Sequence, residues 1–232
     1  MSDRKVQLEH NLSATRAEIE RLAAESGRKP PELLPVTKFH PAADIALLAD
    51  LGVTDVAENR EQEARAKAAE LPQLHFHMIG QIQTKKANHV ARWAASVHSL
   101  DSPKLAHALE RGVSLAKERG ERESNLPVFI QVSADGDGAR GGVSPDDLDE
   151  LVRAAEEAQH LELAGLMVVP PLDADAGEVF RNVRGEVDRL SSELNRPLKM
   201  SAGMSADMAE AIAAGSDIVR VGTSIMGPRP VG

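Results

Sequence analysis

The chain has 232 residues, 42% of them hydrophobic, and 27 Lys plus Arg against 36 Asp plus Glu, a formal net charge of -9. That suits one domain with a full core and leaves no broad positive field for nucleic acid or anionic lipid, so neither is expected as a partner. Without cysteine there are no disulfides, thiolate metal sites or cysteine nucleophiles.

The first segment of helical period covers residues 3–26, ahead of any strand. Eight short β-branched or apolar runs follow: Leu33 to Lys38, Val53 to Ala57, His75 to Ile79, Ser96 to Leu100, Val128 to Ser133, Leu163 to Val168, Leu198 to Ser201 and Asp217 to Val221. Between them lie Ala-, Leu- and Glu-rich helical segments at 41–51, 59–70, 84–94, 102–119, 145–159, 175–194 and 205–214. Strands alternating with helices, in a chain near the roughly 250 residues typical of the class, predict an α/β fold. It is read as a (β/α)8 TIM barrel, one domain with the barrel over 33–227 and an extra N-terminal helix over 1–26. After the eighth strand only Thr223 to Gly232 remain, with Pro228 and Pro230, so no ordinary eighth helix can form and the leading helix is expected to cover the gap. The apolar stretch from Leu163 to Leu172 is too short to span a bilayer, and Met1 to His10 is polar, which gives a cytoplasmic expectation.

In such a barrel, chemistry gathers at the carboxyl ends of the strands. Lys38, Glu58, Asn59, His77, Gly80, Ser201, Gly203 and Arg220 to Thr223 all fall at predicted strand ends or in the loops that follow. Leu34, Val36 and Lys38 alternate on one strand face, so an inward Lys38 would be desolvated and nucleophilic, whereas a strand-end lysine can equally reach solvent. Ser201 and Gly203 in one loop, and Gly222, Thr223 and Ser224 in the other, fit a phosphate cup between the last two strands. The same residues also serve as helix caps and turns. Arg220 just before that cup would donate to a pyridine nitrogen and keep it unprotonated, or would pair with an acid such as Glu58. The segment from Asp135 to Gly142 reads as a flexible barrel loop, and no histidine spacing indicates a metal site.

Several blocks, in order, carry a resemblance. They are Leu34-Pro-Val-Thr-Lys38, Ala57-Glu-Asn59, His75-Phe-His-Met-Ile-Gly-Gln-Ile-Gln-Thr-Lys85, Gly165-Leu-Met167, Ser201-Ala-Gly-Met-Ser-Ala-Asp-Met208 and Val219-Arg-Val-Gly-Thr223. Together they resemble the pyridoxal phosphate homeostasis protein family, whose fold is that of the N-terminal barrel of alanine racemase and whose members carry pyridoxal 5'-phosphate (PLP) on a lysine. The resemblance implies that Lys38 is that lysine, that Ser201, Gly222 and Thr223 hold the phosphate, that Arg220 faces the ring nitrogen and that Asn59 lies near the ring. It also implies that Arg140 reaches toward the pocket mouth. Ala57 replaces a usual glycine, and the tail beyond residue 227 lacks the family's aromatic residues.

The implied role is a PLP-binding protein of vitamin B6 and amino-acid homeostasis, a monomeric carrier with no catalytic residue. Its partners would be the small-molecule cofactor and PLP-dependent apoenzymes as recipients. Racemisation needs a base on each face of the cofactor, and the chain has no tyrosine to serve opposite Lys38. A weak PLP-dependent racemase or lyase using His77 or a water, and a Schiff-base sugar-phosphate aldolase, are the alternatives.

Overall fold

The computed structural model describes residues 3–136 and 141–229. Eight parallel strands run in the spatial order β1-β8-β7-β6-β5-β4-β3-β2. They are β1 (Glu32–Pro35), β2 (Asp55–Glu58), β3 (His75–Met78), β4 (Ala94–Leu100), β5 (Leu126–Val132), β6 (Leu161–Val168), β7 (Lys199–Ser201) and β8 (Ile218–Val221). A bridge from Val36 to Ala57, with the Thr37 amide donating to the Ala57 carbonyl at 3.0 Å, joins the first and last strands of that order. The result is the nearly closed (β/α)8 barrel that the alternation predicts.

The helices are α1 (Asp3–Glu25), α2 (Ala42–Asp50), α3 (Glu61–Glu70), α4 (Ala87–Trp93), α5 (Pro103–Glu118), α6 (Leu148–Glu157), α7 (Ala176–Glu193), α8 (Met208–Ala213) and α9 (Thr223–Met226). Local chemistry sets several starts. Ser102 caps α5 by accepting from the Leu105 amide, with Pro103 supplying a pre-set first position, and Asp175 caps α7 through the Glu178 amide. In α6 the buried residues Leu148, Leu151, Val152 and Ala155 form the single apolar stripe that packs on the sheet.

Helix α9 is four residues long, and α1 takes the place of a full eighth helix. Its buried stripe, Leu8, Leu12, Thr15, Ile19 and Ala23, joins a core with Ile225 and Met226. The Asn11 side-chain amide donates to the Ile225 carbonyl, and Arg4 donates to the Met226 carbonyl, each at 2.9 Å. Among the described residues no helix is long and apolar enough to cross a membrane.

Leu34, Val36, Ala57, Phe129, Met167 and Ile218 fill part of the barrel interior. Polar residues share it: Asp55, His77, Ser96, His98, Ser201 and Arg220, on five of the eight strands. A parallel strand covered on both faces is ordinarily a continuous apolar run, so the polar residues Asp55 of β2, His77 of β3, and Ser96 and His98 of β4 mark an interior built for more than packing.

Candidate functional site

Strand β1 ends at Pro35, three residues short of its predicted end, and Lys38 sits in the turn beyond it. Leu34 and Val36 do point into the barrel, but the alternation does not extend to Lys38, which is half-buried in the turn. That turn is held from below. Glu58, fully buried at the end of β2, accepts from the Thr37 hydroxyl at 2.6 Å and from the Lys67 ammonium of α3 at 2.7 Å through the same oxygen. Lys67 also donates to the Thr37 carbonyl at 3.0 Å and to Glu63 at 2.7 Å, while Glu63 accepts from the Phe39 amide at 2.7 Å. Both neighbours of Lys38 are thereby pinned, and Phe39 is fixed in the left-handed region at φ 70°, which costs about 1 kcal/mol or more for a non-glycine residue. The Phe39 ring lies under the Arg229 guanidinium, 4.1 Å from its centroid, with the Lys38 ammonium 5.8 Å away.

Burial pushes the Glu58 carboxyl upward, and Lys67 and Thr37 offset part of that shift. Glu58 is therefore the partner of Lys67. Arg220 turns instead to the Ser201 hydroxyl at 2.7 Å and the Val168 carbonyl at 3.0 Å. At 2% exposure its guanidinium is pushed down by burial to about 10, so it keeps its charge at neutral pH and can only donate.

Ser201 ends β7 with its hydroxyl inside the barrel, fully buried between Arg220 and His98 Nδ1, the latter at 2.9 Å. The hydroxyls standing open around the last two strands are Ser205, after β7, and Thr223 and Ser224, after β8. Ser205 carries the signal the predicted set passed over: a second serine past the glycine, in the exposed turn before α8. Gly203 is buried at φ 97°, its carbonyl accepts from the Arg220 amide at 2.9 Å, and a Cβ there would meet Ala211 at 2.5 Å. A side chain would not fit. Gly222 packs beside Val36, with its would-be Cβ 3.5 Å from the Val36 carbonyl, and Val36 donates to the Val221 carbonyl at 2.9 Å. The Lys38 turn and the Gly222–Thr223 turn are therefore neighbours at one end of the barrel.

Asn59 follows Glu58 directly and lines a cavity of about 200 Å3 with Ile79, Gly80, Gln131, Met167 and Val169. Its Oδ1 is buried without a hydrogen-bond partner among the described residues. A larger cavity of about 690 Å3 lies against α6 and α7 and includes none of the predicted residues. His77 is not at this face: its Nε2 meets Asp55, the first residue of β2, at 2.8 Å, so it looks toward the opposite mouth. Asp55, Ser96 and His98 were not among the predicted residues, although their period-two placement with His77 was the available signal. Arg140 lies outside the described residues. Among those residues no cluster of three or more His, Cys, Asp or Glu is arranged to hold a metal ion.

His98 is 1% exposed and stacks on Phe129 at 4.3 Å between centroids, and burial holds it well below the usual imidazole range. The His77 hydrogen bond draws Asp55 down to about 2. Two losses of stability follow on acidification. As pH falls through about 6.5 the unfolded chain binds a proton at His98 that the folded chain refuses, and as it falls from about 4 to 2 the unfolded chain protonates Asp55 first. Urea midpoints should drop in both windows, with Asp55→Asn flattening the lower one. A wild-type midpoint constant from pH 7.5 to 5 would contradict the buried neutral imidazole.

Residues 10–230 match the family model described as alanine racemase, N-terminal domain. The pyridoxal phosphate homeostasis protein of Corynebacterium glutamicum is 56% identical over 200 residues, covering 86% of this chain and 90% of that protein. The protein of the same name from Mycobacterium tuberculosis is 44% identical, covering 98% and 95%. Among solved structures, PipY of Synechococcus elongatus with PLP bound superposes with a TM-score of 0.81 at 32% identity, covering 95% of this chain and 100% of that one. The chain belongs to the alanine racemase N-terminal domain family, and within it to the pyridoxal phosphate homeostasis proteins.

Proposed function

We propose that this protein binds PLP at the carboxyl-terminal end of its barrel and serves as a non-catalytic carrier in vitamin B6 and amino-acid homeostasis. The observation that carries the reading is the adjacency of the braced Lys38 turn to the glycine turn at Gly222, beside a buried arginine that can only donate. The group itself supplies an aldehyde that condenses with an amine, a phosphate and a ring nitrogen. Lys38 presents the amine, with Thr37 and Phe39 immobilised on either side. Gly203, Gly222 and Thr223 offer close backbone approach and donors to the phosphate, and Ser205 adds an open hydroxyl. Arg220 donates toward the ring nitrogen and discourages its protonation. Asn59 lies beside the ring, in the lining of the adjoining cavity. Ser201 serves the site indirectly, by holding Arg220.

A carrier is favoured over a racemase by the lack of a second base. There is no tyrosine, and His77 is directed to the far mouth of the barrel, bonded to Asp55 and Ser96. An unprotonated ring nitrogen also weakens the electron sink that racemisation needs.

The test is an absorption spectrum of the protein with added PLP, before and after borohydride. We expect a visible chromophore that reduction fixes covalently at Lys38 and that Lys38→Ala abolishes. Reduction that labels another lysine in the wild type would refute the assignment. Exchange of an amino acid's α-proton in deuterium oxide above the rate of free PLP would refute the carrier reading.

A further inference from the structure

The polar interior residues form a continuous chain. The Arg220 guanidinium meets Ser201 Oγ at 2.7 Å, Ser201 Oγ meets His98 Nδ1 at 2.9 Å, and His98 Nε2 meets Ser96 Oγ at 2.9 Å. Ser96 Oγ then meets His77 Nδ1 at 2.6 Å, and His77 Nε2 meets Asp55 Oδ1 at 2.8 Å. The chain crosses the barrel from the proposed cofactor end to a cavity of about 360 Å3 at the amino-terminal mouth, which Asp55, His77, Ser96 and His98 help to line.

Both ends have fixed polarity. An arginine has no acceptor, and an ionised carboxylate has no donor. When each imidazole between them carries a single ring proton, each link can run in one direction only: Arg220 donates to Ser201, Ser201 to His98 Nδ1, His98 Nε2–H to Ser96, Ser96 to His77 Nδ1, and His77 Nε2–H to Asp55. Every hydroxyl proton and both tautomers are thus assigned. Reversing any link would set two donors or two acceptors against each other, at greatest cost where Ser96, His98, Ser201 and Arg220 are buried. His75 Nδ1 at 3.3 Å and the Thr54 hydroxyl at 2.6 Å also approach the Asp55 carboxylate, and neither interrupts the chain.

We infer that Asp55, at the end of the barrel opposite the proposed cofactor, is a positioning residue for Arg220, acting through a one-way hydrogen-bond chain that commits the Ser201 hydroxyl to His98 and leaves its lone pair for the guanidinium. Its consequence for the cofactor rests on the proposed function, whereas the chain is a property of the protein alone. A Ser201 whose proton is free to turn toward Arg220 would repel the guanidinium it now holds, and the donor aimed at the ring nitrogen would lose its fixed direction.

The experiment is nitrogen-15 NMR of the histidine rings at pH 8 in the full-length protein, with and without added PLP, for the wild type, Asp55→Ala and Asp55→Asn. In the wild type His77 and His98 should each show a single neutral tautomer protonated at Nε2. Asp55→Ala should lose that uniqueness at both rings and shift the pH profile of the bound chromophore. Asp55→Asn keeps an acceptor oxygen for His77 and should restore the single tautomers and the wild-type profile, a rescue that a general effect of charge or folding would not give. His98 protonated at Nδ1 in the wild type, or tautomers unchanged in Asp55→Ala, would overturn the inference. A wild type that fails to bind PLP yet shows the expected tautomers would instead remove the proposed function and leave the chain standing.

Discussion

Lys67→Met is expected to lower stability by about 3 to 5 kcal/mol at pH 8, because it leaves the fully buried Glu58 carboxylate without its cation. For a chain of this length that is roughly a 10 °C fall in melting temperature. The loss should shrink toward pH 5. Glu58 is already inclined by burial to hold a proton, and once Lys67 is gone protonation becomes its cheapest escape. Adding Glu58→Gln should recover part of the loss, since a neutral amide does not need the ammonium. The same substitution removes the donor to the Thr37 carbonyl and frees Glu63, so trapping of PLP at Lys38 by borohydride should slow even at temperatures where the protein is folded. Thermal melts from pH 5 to 8 check the first part. A loss independent of pH would show that the carboxylate is not the stranded group.

The second large effect is expected at Gly80. A Cβ there would stand 2.0 Å from the Asn59 carbonyl oxygen and 2.8 Å from the Asn59 Cα, and backbone atoms cannot rotate away as a side chain can. Gly80→Ala must push β3 and the Asn59 segment apart, at about 1 to 3 kcal/mol or more. Asn59 lines the cavity, so displacement should also weaken PLP binding by the worth of one hydrogen bond, up to about tenfold. Gly185 in α7 is the control. Nothing lies within 4 Å of its would-be Cβ, and Gly185→Ala should stabilise by about 0.5 to 1 kcal/mol. Urea melts and a PLP titration of both variants separate the cases: equal behaviour at the two positions would refute the close approach.

The barrel was legible because each of its strands carries its own local signature, and seven of the eight predicted runs match the observed strands to within two residues at either end. The exception was the one that mattered for Lys38. Pro-Val-Thr-Lys continues an alternating pattern, but Thr37 leaves the sheet to reach Glu58, and a tertiary hydrogen bond overrides the period. The glycines of the last two loops were readable as points of close approach; Gly203 is crowded by Ala211, whereas Gly222 only rests against Val36 at ordinary contact distance. The direction of the Ser201 hydroxyl was not readable, because a serine ending a strand can turn to the loop or the interior, and only the positions of Arg220 and His98 decide it. The pairing of Glu58 with Lys67 was missed for a similar reason. Lys67 looks like one more surface residue of an Ala- and Glu-rich helix until the packing of α3 on β2 buries its stem.

The substitution of α1 for an eighth helix joins two elements separated by nearly the whole barrel. On the ribosome, Leu8, Leu12 and Ile19 meet Ile45 and Leu48 of the same core soon after they emerge, but Ile225 and Met226 only after more than two hundred further residues have been synthesised. The α1 stripe is covered in part by α2 early on, and its seam with α9 closes late, by parts far apart in sequence. Completion of the barrel wall is thus deferred until α9 is made, and removal of α1 or of α9 should leave a sticky seam at the same spot.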